Sequence, residues 1–458
     1  MSYWKSGYIQ SNRDLQFKNM PLDTPTDQPT TLALSQLKRI SETEYQKVYQ
    51  WARQEKLVDS NDSAIYFYSL DQLDDRLQHL RQVFPNGVKH AIAIKTNPLA
   101  GLLEYLIEKG CGLEAASIEE VHLAKAAGCD PGSVIFDSPV KRKAEIDFCE
   151  SEYPQMILNA NCLEELPRIA GKKHLRLGLR INPMLSSGAP EVFDVSRKVS
   201  KFGVPISMRN EIIQAYLDYP ELEGLHMHIG SQISKMDATA RAVRLLYDLG
   251  LDIQQARKEN GISQALTYLD IGGGFPAVYE EGEQQTGMER LVAYIQDYCP
   301  KVFTEYEVFT EFGRFVHAHN AWVLSDVEYV TPYQEQPIAM VHTGADMFVR
   351  EIYQPGSPRH QMSVLDADGF LKPSGEHSAH IAGPLCFAGD FIDKNRILAD
   401  IKEGDKLVIA DAGANAIGMW SRHCSRACPK VIAYSLKHNT IQIIKERETM
   451  EDIIRFWK

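Results

Sequence analysis

The segment Ala91-Ile92-Ala93-Ile94-Lys95-Thr96-Asn97-Pro98 sets a lysine directly after an apolar run. An amine at the end of such a strand loses part of its hydration, which lowers its pKa and makes it a nucleophile toward carbonyl carbon. An isolated Lys95 reads better as a solvated strand-end lysine, so its company decides. Gly272-Gly273-Gly274 follow another apolar run, and bare backbone N–H groups in such a turn can approach an anion closely. Ser231 and Arg314 are placed to reach the same anion, and Glu311 lies beside it. His226 and His228 alternate on one strand and face the same way. No third ligand accompanies them in the sequence, so no metal is expected, and a flat imidazole suits stacking on a ring better. An amine for a Schiff base, a phosphate cradle and an acid for a pyridinium nitrogen together describe a site for pyridoxal 5′-phosphate. The residues alone leave the reaction open.

These residues are far apart in sequence and need a scaffold that gathers them. Short apolar runs at 88–94, 112–116, 133–136, 156–158, 175–181, 222–229, 266–271 and 306–310 alternate with helical patterns such as 118–127, 208–219 and 238–259. Eight strands with helices between them predict an α/β protein built on a (β/α)8 barrel, with a doubly wound parallel sheet as the competing architecture. A barrel carries its chemistry at the C-terminal strand ends, where Lys95, Glu114, Asp137, Arg180, Asn182, His226, His228, Asp270, Glu311 and Arg314 fall. Beyond residue 315 the pattern changes to strands at 321–330, 338–342, 378–381, 406–410, 431–436 and 440–444, broken by turns, with a last helical stretch at 450–457. The predicted organisation is an N-terminal arm over 1–61, the cofactor-binding barrel over 62–318 and a β-rich C-terminal domain over 319–458. The arm should be irregular around Pro21, Pro25 and Pro29, form a helix near 43–56 and pack on the β domain.

Composition narrows the class. The chain has 458 residues, 44% of them hydrophobic, enough for more than one core. Lys plus Arg is 49 and Asp plus Glu is 61, a formal charge of −12 without a clustered basic block, which argues against nucleic acid as a partner. No apolar window is long enough for a membrane span, and the start lacks an apolar signal core. Eight cysteines are too sparse for a disulfide framework and fit a reducing compartment. A cytoplasmic protein with a small-molecule substrate is expected.

The same segments resemble the alanine-racemase-like fold of pyridoxal phosphate enzymes, and within it the diaminopimelate/ornithine decarboxylase family (fold type III). Residues 93–98, Ser200-Lys201-Phe202-Gly203, His226-Met227-His228-Ile229-Gly230-Ser231-Gln232, Gly272-Gly273-Gly274-Phe275-Pro276 and Glu311-Phe312-Gly313-Arg314 carry the resemblance in the barrel. Residues 383–390 (Gly-Pro-Leu-Cys-Phe-Ala-Gly-Asp) and 411–415 (Asp-Ala-Gly-Ala-Asn) carry it in the β domain. The resemblance implies that Lys95 forms the Schiff base, that His228 stacks on the cofactor ring and that Glu311 pairs with the pyridine nitrogen. It further implies that Ser231, Gly273, Gly274 and Arg314 hold the phosphate. Cys386 would reprotonate the carbanion left by CO₂ loss, with Asp390 beside it. A homodimer with shared active sites is implied too, the cysteine segment of one chain reaching the barrel of the other.

The chain departs from the family pattern in places. Phe312 replaces a proline, Glu114 stands where many relatives have Asp, and Asn415 replaces a tyrosine that touches the phosphate. Phe387 replaces the acid that reads a distal substrate amine. Arg350 lies where diaminopimelate decarboxylases keep a carboxylate-binding arginine, and Tyr353 falls one residue short of the corresponding tyrosine. An unpaired ammonium against Phe387 would cost several kcal/mol. The expected substrate is therefore neither ornithine nor free diaminopimelate but an amino acid or conjugate with a distal carboxylate, contacted by Arg350, Phe387, Asp390 and Tyr353. The competing readings are a substitute acid such as Glu351 with a lysine-like substrate, a racemase of the same fold, or a non-catalytic cofactor-binding protein.

Overall fold

The computed structural model describes residues 38–190, 193–279, 287–333, 335–354, 357 and 359–458. The irregular start expected around Pro21, Pro25 and Pro29 lies outside the described residues. Eight strands close into a parallel barrel: β2 (Lys89–Ala93), β3 (Gly112–Ala115), β4 (Val134–Phe136), β5 (Ile157–Ala160), β6 (Arg176–Asn182), β8 (Leu222–His226), β9 (Tyr268–Asp270) and β10 (Glu307–Thr310). Each pairs with the next, β6 pairing with β8, and β10 returns to β2. A two-residue strand, β7 (Val204–Pro205), adds to the side of β6. The eight apolar runs are these eight strands, and the doubly wound alternative is excluded.

The runs are continuous rather than alternating because both faces of each strand are covered. One face meets the surrounding helices. The other fills the barrel with Ala91, Ile135, Ile157, Tyr268 and Phe309. Tyr268 fits only because β6 and β8 carry glycine opposite it. A Cβ on Gly224 would lie 1.9 Å from its ring and one on Gly178 2.2 Å from its hydroxyl, which donates to Asn159 Oδ1 at 3.0 Å.

The second sheet contains β1 (Ala64–Ser69), β11 (Ala321–Thr331), β12 (Ile338–Val341), β13 (Met362–Leu365), β14 (His377–Ala382), β15 (Phe391–Leu398), β16 (Lys406–Ile409), β17 (Lys430–Ser435) and β18 (Thr440–Lys445). The strand β1 falls within the 62–318 segment, yet it pairs antiparallel with β11 and parallel with β17. It belongs to the C-terminal sheet because Ile65, Tyr66, Phe67 and Tyr68 are all buried, so it needs cover on both faces and neighbours on both edges. The strands β13 and β15 were not legible as strands. In β15 the polar run Asp393-Lys394-Asn395-Arg396 hides the pattern, and Asn395, at φ +58°, bulges it.

Helix α1 (Glu42–Gln54) is capped by Ser41, whose hydroxyl accepts the Glu44 N–H at 3.3 Å. Its inner face, Tyr45, Val48, Tyr49 and Ala52, packs on the C-terminal sheet over Phe67, Trp322 and Tyr434. Trp322 is fully buried, stacked on Phe67 with ring centroids 4.1 Å apart, and Tyr45 lies 5.0 Å away. Among the described residues no helix is long and apolar enough to cross a membrane. Trp322→Ala removes the side chain shared by α1, β1 and β11 and should cost about 3–5 kcal/mol of stability, as large-to-small changes in cores do. Urea unfolding followed by circular dichroism measures it, and a loss below about 1 kcal/mol would show that this core tolerates the cavity.

Candidate active site

Lys95 sits in a single 3₁₀ turn (Ile94–Thr96) at the end of β2. Its ammonium pairs with the Glu114 carboxylate of β3. The side chain keeps 46% of its surface accessible, while the Glu114 side chain is fully buried. Burial would pull the amine down, but Glu114, Asp137 and Glu311 together raise its pKa above that of an ordinary lysine. This corrects the expectation from the sequence: desolvation does not depress Lys95, because its neighbours are acids. Burial and the neighbouring Asp137 push Glu114 well up, opposed by Lys95. Asp137 is held well below the usual carboxylate range despite its burial, with the cations Arg180 and Lys95 beside it. Arg180 lies 3.3 Å from Asp137 and over the ring of Phe202 at 4.5 Å.

On the opposite wall, burial and the charges of Asp270, Asp137 and Glu114 raise Glu311 well above 4.5. Asp270 is pushed up to about 7, chiefly by burial. His228, 3.7 Å from Glu311, is lowered to about 3 by burial and by Arg180 and Lys95, so at neutral pH it is an uncharged flat ring. His226 is buried and neutral for the same reasons. The fold also supplies what the two-histidine pattern lacked. Asp137, His226 and Glu311 offer ligand atoms within 4.8 Å of one another, although His228 is not part of that group.

The glycine turn packs against these groups. Gly274, at φ +99°, passes so close to the loop after β8 that a Cβ would lie 2.1 Å from the Gly230 carbonyl. Gly273 donates its N–H to His228 Nδ1 at 3.0 Å, so this amide orients the imidazole rather than standing free for an anion. Arg314 donates to Ser231 Oγ at 3.3 Å and to the hydroxyl of Tyr279 at 2.9 Å. Tyr279 escaped the sequence reading; its only signal was a tyrosine five residues after the glycine turn.

The β domain reaches the Lys95 turn through buried hydrogen bonds. Asn97 Nδ2 donates to the Gly413 carbonyl at 3.1 Å and to Tyr66 Oη at 3.2 Å. The Asn415 N–H donates to the Thr96 carbonyl at 2.8 Å, with Asn415 at φ +61°. Asn415 thus acts through its backbone on the lysine turn. Arg350 is partly buried over the Phe193 ring at 4.8 Å, with Met419 Sδ 3.4 Å away. Phe387 stacks on Tyr353, centroids 5.1 Å apart and planes 10° apart. Cys386 is exposed and is not brought into the Lys95 cluster of its own chain; its backbone N–H lies 3.4 Å from Cys424 Sγ. Asp390 commits its carboxylate to backbone amides. It is buried and accepts the N–H groups of Ala345 and Leu385, both at 2.7 Å, and so shapes the cysteine loop. Glu351 faces the buried His360 at 3.5 Å.

Residues 70–318 match the family model of the pyridoxal-dependent decarboxylases, pyridoxal binding domain. The chain belongs to this family. It is 26% identical over 408 residues to a diaminopimelate decarboxylase of Aquifex aeolicus, covering 87% of this chain and 92% of the relative. It is 28% identical to one of Neisseria meningitidis serogroup B, covering 86% and 93%. The solved diaminopimelate decarboxylase of Helicobacter pylori in complex with L-lysine has the same fold, with TM-score 0.76 at 24% identity over 88% of this chain and 99% of that one. The protein is an amino-acid decarboxylase of the pyridoxal-dependent class.

Family membership implies pyridoxal phosphate, and the residues present fit it. Glu311 Oε1 and both ring nitrogens of His226 are buried without hydrogen-bond partners among the described residues, as suits a place for a polar heterocycle. Ser231 and Arg314 converge beside the glycine turn, as suits an anion.

The acid cluster predicts a pH dependence. A carboxyl whose folded pKa is raised adds no penalty below its unfolded value of 3.8. It then destabilises increasingly until pH passes about 7, beyond which the penalty is constant. Asp270→Asn keeps an oxygen for the Gly272 N–H and removes the charge. In the cofactor-free protein its melting temperature should fall less than the wild type's between pH 4 and pH 7, and exceed it at pH 8. Parallel curves would show that Asp270 is not the titrating group.

Proposed function

We propose that the chain decarboxylates an amino acid whose far end carries a carboxylate, using pyridoxal phosphate held by Lys95. The observation that carries this reading is the convergence of Lys95, Glu114, His228, Glu311 and Arg314 at the carboxyl end of one barrel. Bound there, the cofactor supplies an electron sink for the bond broken at the substrate α-carbon. Lys95 is the covalent anchor, and Glu114 takes or returns the proton its amine must shed. His228, neutral and fixed by Gly273, offers its flat face to the cofactor ring. Glu311, with Oε1 buried and unpartnered among the described residues, would share a proton with the ring nitrogen of the bound group. Ser231, Gly274 and Arg314 bind the phosphate, and the Asn415 backbone steadies the lysine turn.

Cys386 is the proton donor to the α-carbon, and it serves the barrel of a second copy. Its exposure, and its absence from its own chain's Lys95 cluster, support that arrangement. Mixing Lys95→Ala chains with Cys386→Ala chains should then restore activity in about a quarter of the sites, as random pairing in symmetric dimers dictates. No recovery despite demonstrated subunit exchange would refute shared sites.

Three features set the substrate. Phe387 is taken up by Tyr353. The acids that could have replaced the missing one are engaged, Asp390 with two backbone amides and Glu351 with His360. Arg350 has no ion pair among the described residues, and burial lowers its pKa, with Arg314 adding repulsion; a carboxylate relieves both. The relatives named for diaminopimelate and the lysine-bound neighbour support a substrate in the lysine size range. CO₂ release should be at least about tenfold more efficient with a carboxylated conjugate of a diamino acid than with ornithine, lysine or diaminopimelate. It should be abolished in Lys95→Ala, and Arg350→Ala should raise KM for the conjugate about tenfold or more. Efficient turnover of free diaminopimelate or ornithine would overturn the substrate assignment.

A further inference from the structure

The phosphate side of the site contains a tyrosine that neither the glycine turn nor the strand ends announce. Tyr279 is buried in a small cluster with Ala277, Ala318 and Ala414, so its ring lies against the residue preceding Asn415. Its ring edge meets His360, centroids 5.5 Å apart. The segment that carries it is clamped. Gln232 donates through Nε2 to the Ala277 carbonyl at 2.8 Å and accepts the Ala277 N–H through Oε1 at 2.7 Å. The Ile233 N–H donates to the Gly274 carbonyl at 3.1 Å. These three bonds tie the loop after β8, which carries Ser231, to the loop after β9, which carries Tyr279. Arg314 closes the triangle by donating to both hydroxyls.

The direction of the last bond matters. Guanidinium has donors only, so the Tyr279 oxygen accepts from Arg314 and its own proton is left to donate. Ser231 is in the same position. Two hydroxyls held by one guanidinium, with Gly274 on the same pair of loops, are the donors that recognition of a multivalent oxyanion requires. The chain has asparagine at 415, and that residue's N–H is committed to Thr96.

We propose that the Tyr279 hydroxyl is a phosphate ligand of the cofactor site, supplying from the loop after β9 the phenol that position 415 lacks. This rests on the cofactor reading above and adds to it a residue with a stated partner, the phosphate rather than the pyridine ring.

The test titrates cofactor-free protein with pyridoxal phosphate and, separately, with pyridoxal, which lacks the phosphate; binding is followed by tryptophan fluorescence quenching. Tyr279→Phe keeps the ring that fills the alanine cluster and removes only the hydroxyl. It should weaken pyridoxal phosphate about tenfold or more, the range for a hydrogen bond to a charged group, and leave pyridoxal within about twofold. Tyr279→His, which keeps a planar ring and an N–H donor, should recover part of the affinity; it also carries the test if the Phe variant does not fold. Equal weakening of both ligands would overturn the proposal in favour of a packing role. Unchanged pyridoxal phosphate affinity in Tyr279→Phe would overturn it as well. A wild-type protein that binds neither ligand would defeat the cofactor reading itself, a result separate from either of these.

Discussion

At the carboxyl end of the barrel four carboxyl groups, Glu114, Asp137, Asp270 and Glu311, are buried around two cations, Lys95 and Arg180. They cannot all be ionised, since buried like charges repel strongly where solvent cannot screen them. The protein resolves the conflict by position. Asp137, flanked by Arg180 and His226, keeps its charge. Burial and the neighbouring acids push Glu114 and Glu311 up, and at Glu114 the Lys95 ammonium opposes the shift. The two histidines are kept neutral by burial and by the same cations. Much else in the site follows from this division. A lysine whose proton is shared with Glu114 can lose it locally, and a neutral imidazole can lie flat on an aromatic ring without repelling a cation.

Such an arrangement demands rigid walls, because every group in it comes from a different strand. The barrel provides them through an interior with little freedom to shift, where Tyr268 is accepted by glycines on β6 and β8 and anchored to Asn159. The second sheet adds a clamp from outside the barrel. Asn97 and Thr96, the residues following Lys95, are hydrogen bonded to Tyr66 of β1 and to Gly413 and Asn415 of the β domain. The turn that carries the lysine is therefore held by both domains, and α1 with Trp322 stabilises the sheet that holds it.

The cysteine loop shows the same economy on a smaller scale. Asp390 looks from its position beside Cys386 like a group that touches substrate. Its carboxylate instead caps two backbone amides in the interior, so the loop that presents Cys386 and Phe387 is shaped by a buried charge. Charge used to fix a loop is not available to recognise an ammonium. Together with the Glu351–His360 pair, this makes the surroundings of Phe387 poor in free anions and those of Arg350 poor in partners.

Sequence by itself determined the barrel, the position of the lysine and most of the residues around it. Parallel strands covered on both faces leave continuous apolar runs, and barrel chemistry collects at their ends, so both are written locally as runs followed by ionisable or glycine residues. The β domain was legible as a region but not strand by strand, since β15 is polar and bulged and β1 lies more than 250 residues from its partner β11. What only the tertiary structure decided concerns groups whose state depends on neighbours distant in sequence. Lys95 follows an apolar strand, which suggests a depressed pKa, yet three acids from other strands reverse the sign. Gly273 spends its amide on a histidine 45 residues away. Tyr279 gains its meaning from Arg314, 35 residues further along the chain. Local pattern reports burial, whereas charge and hydrogen-bond direction are set across space by residues that the pattern does not connect.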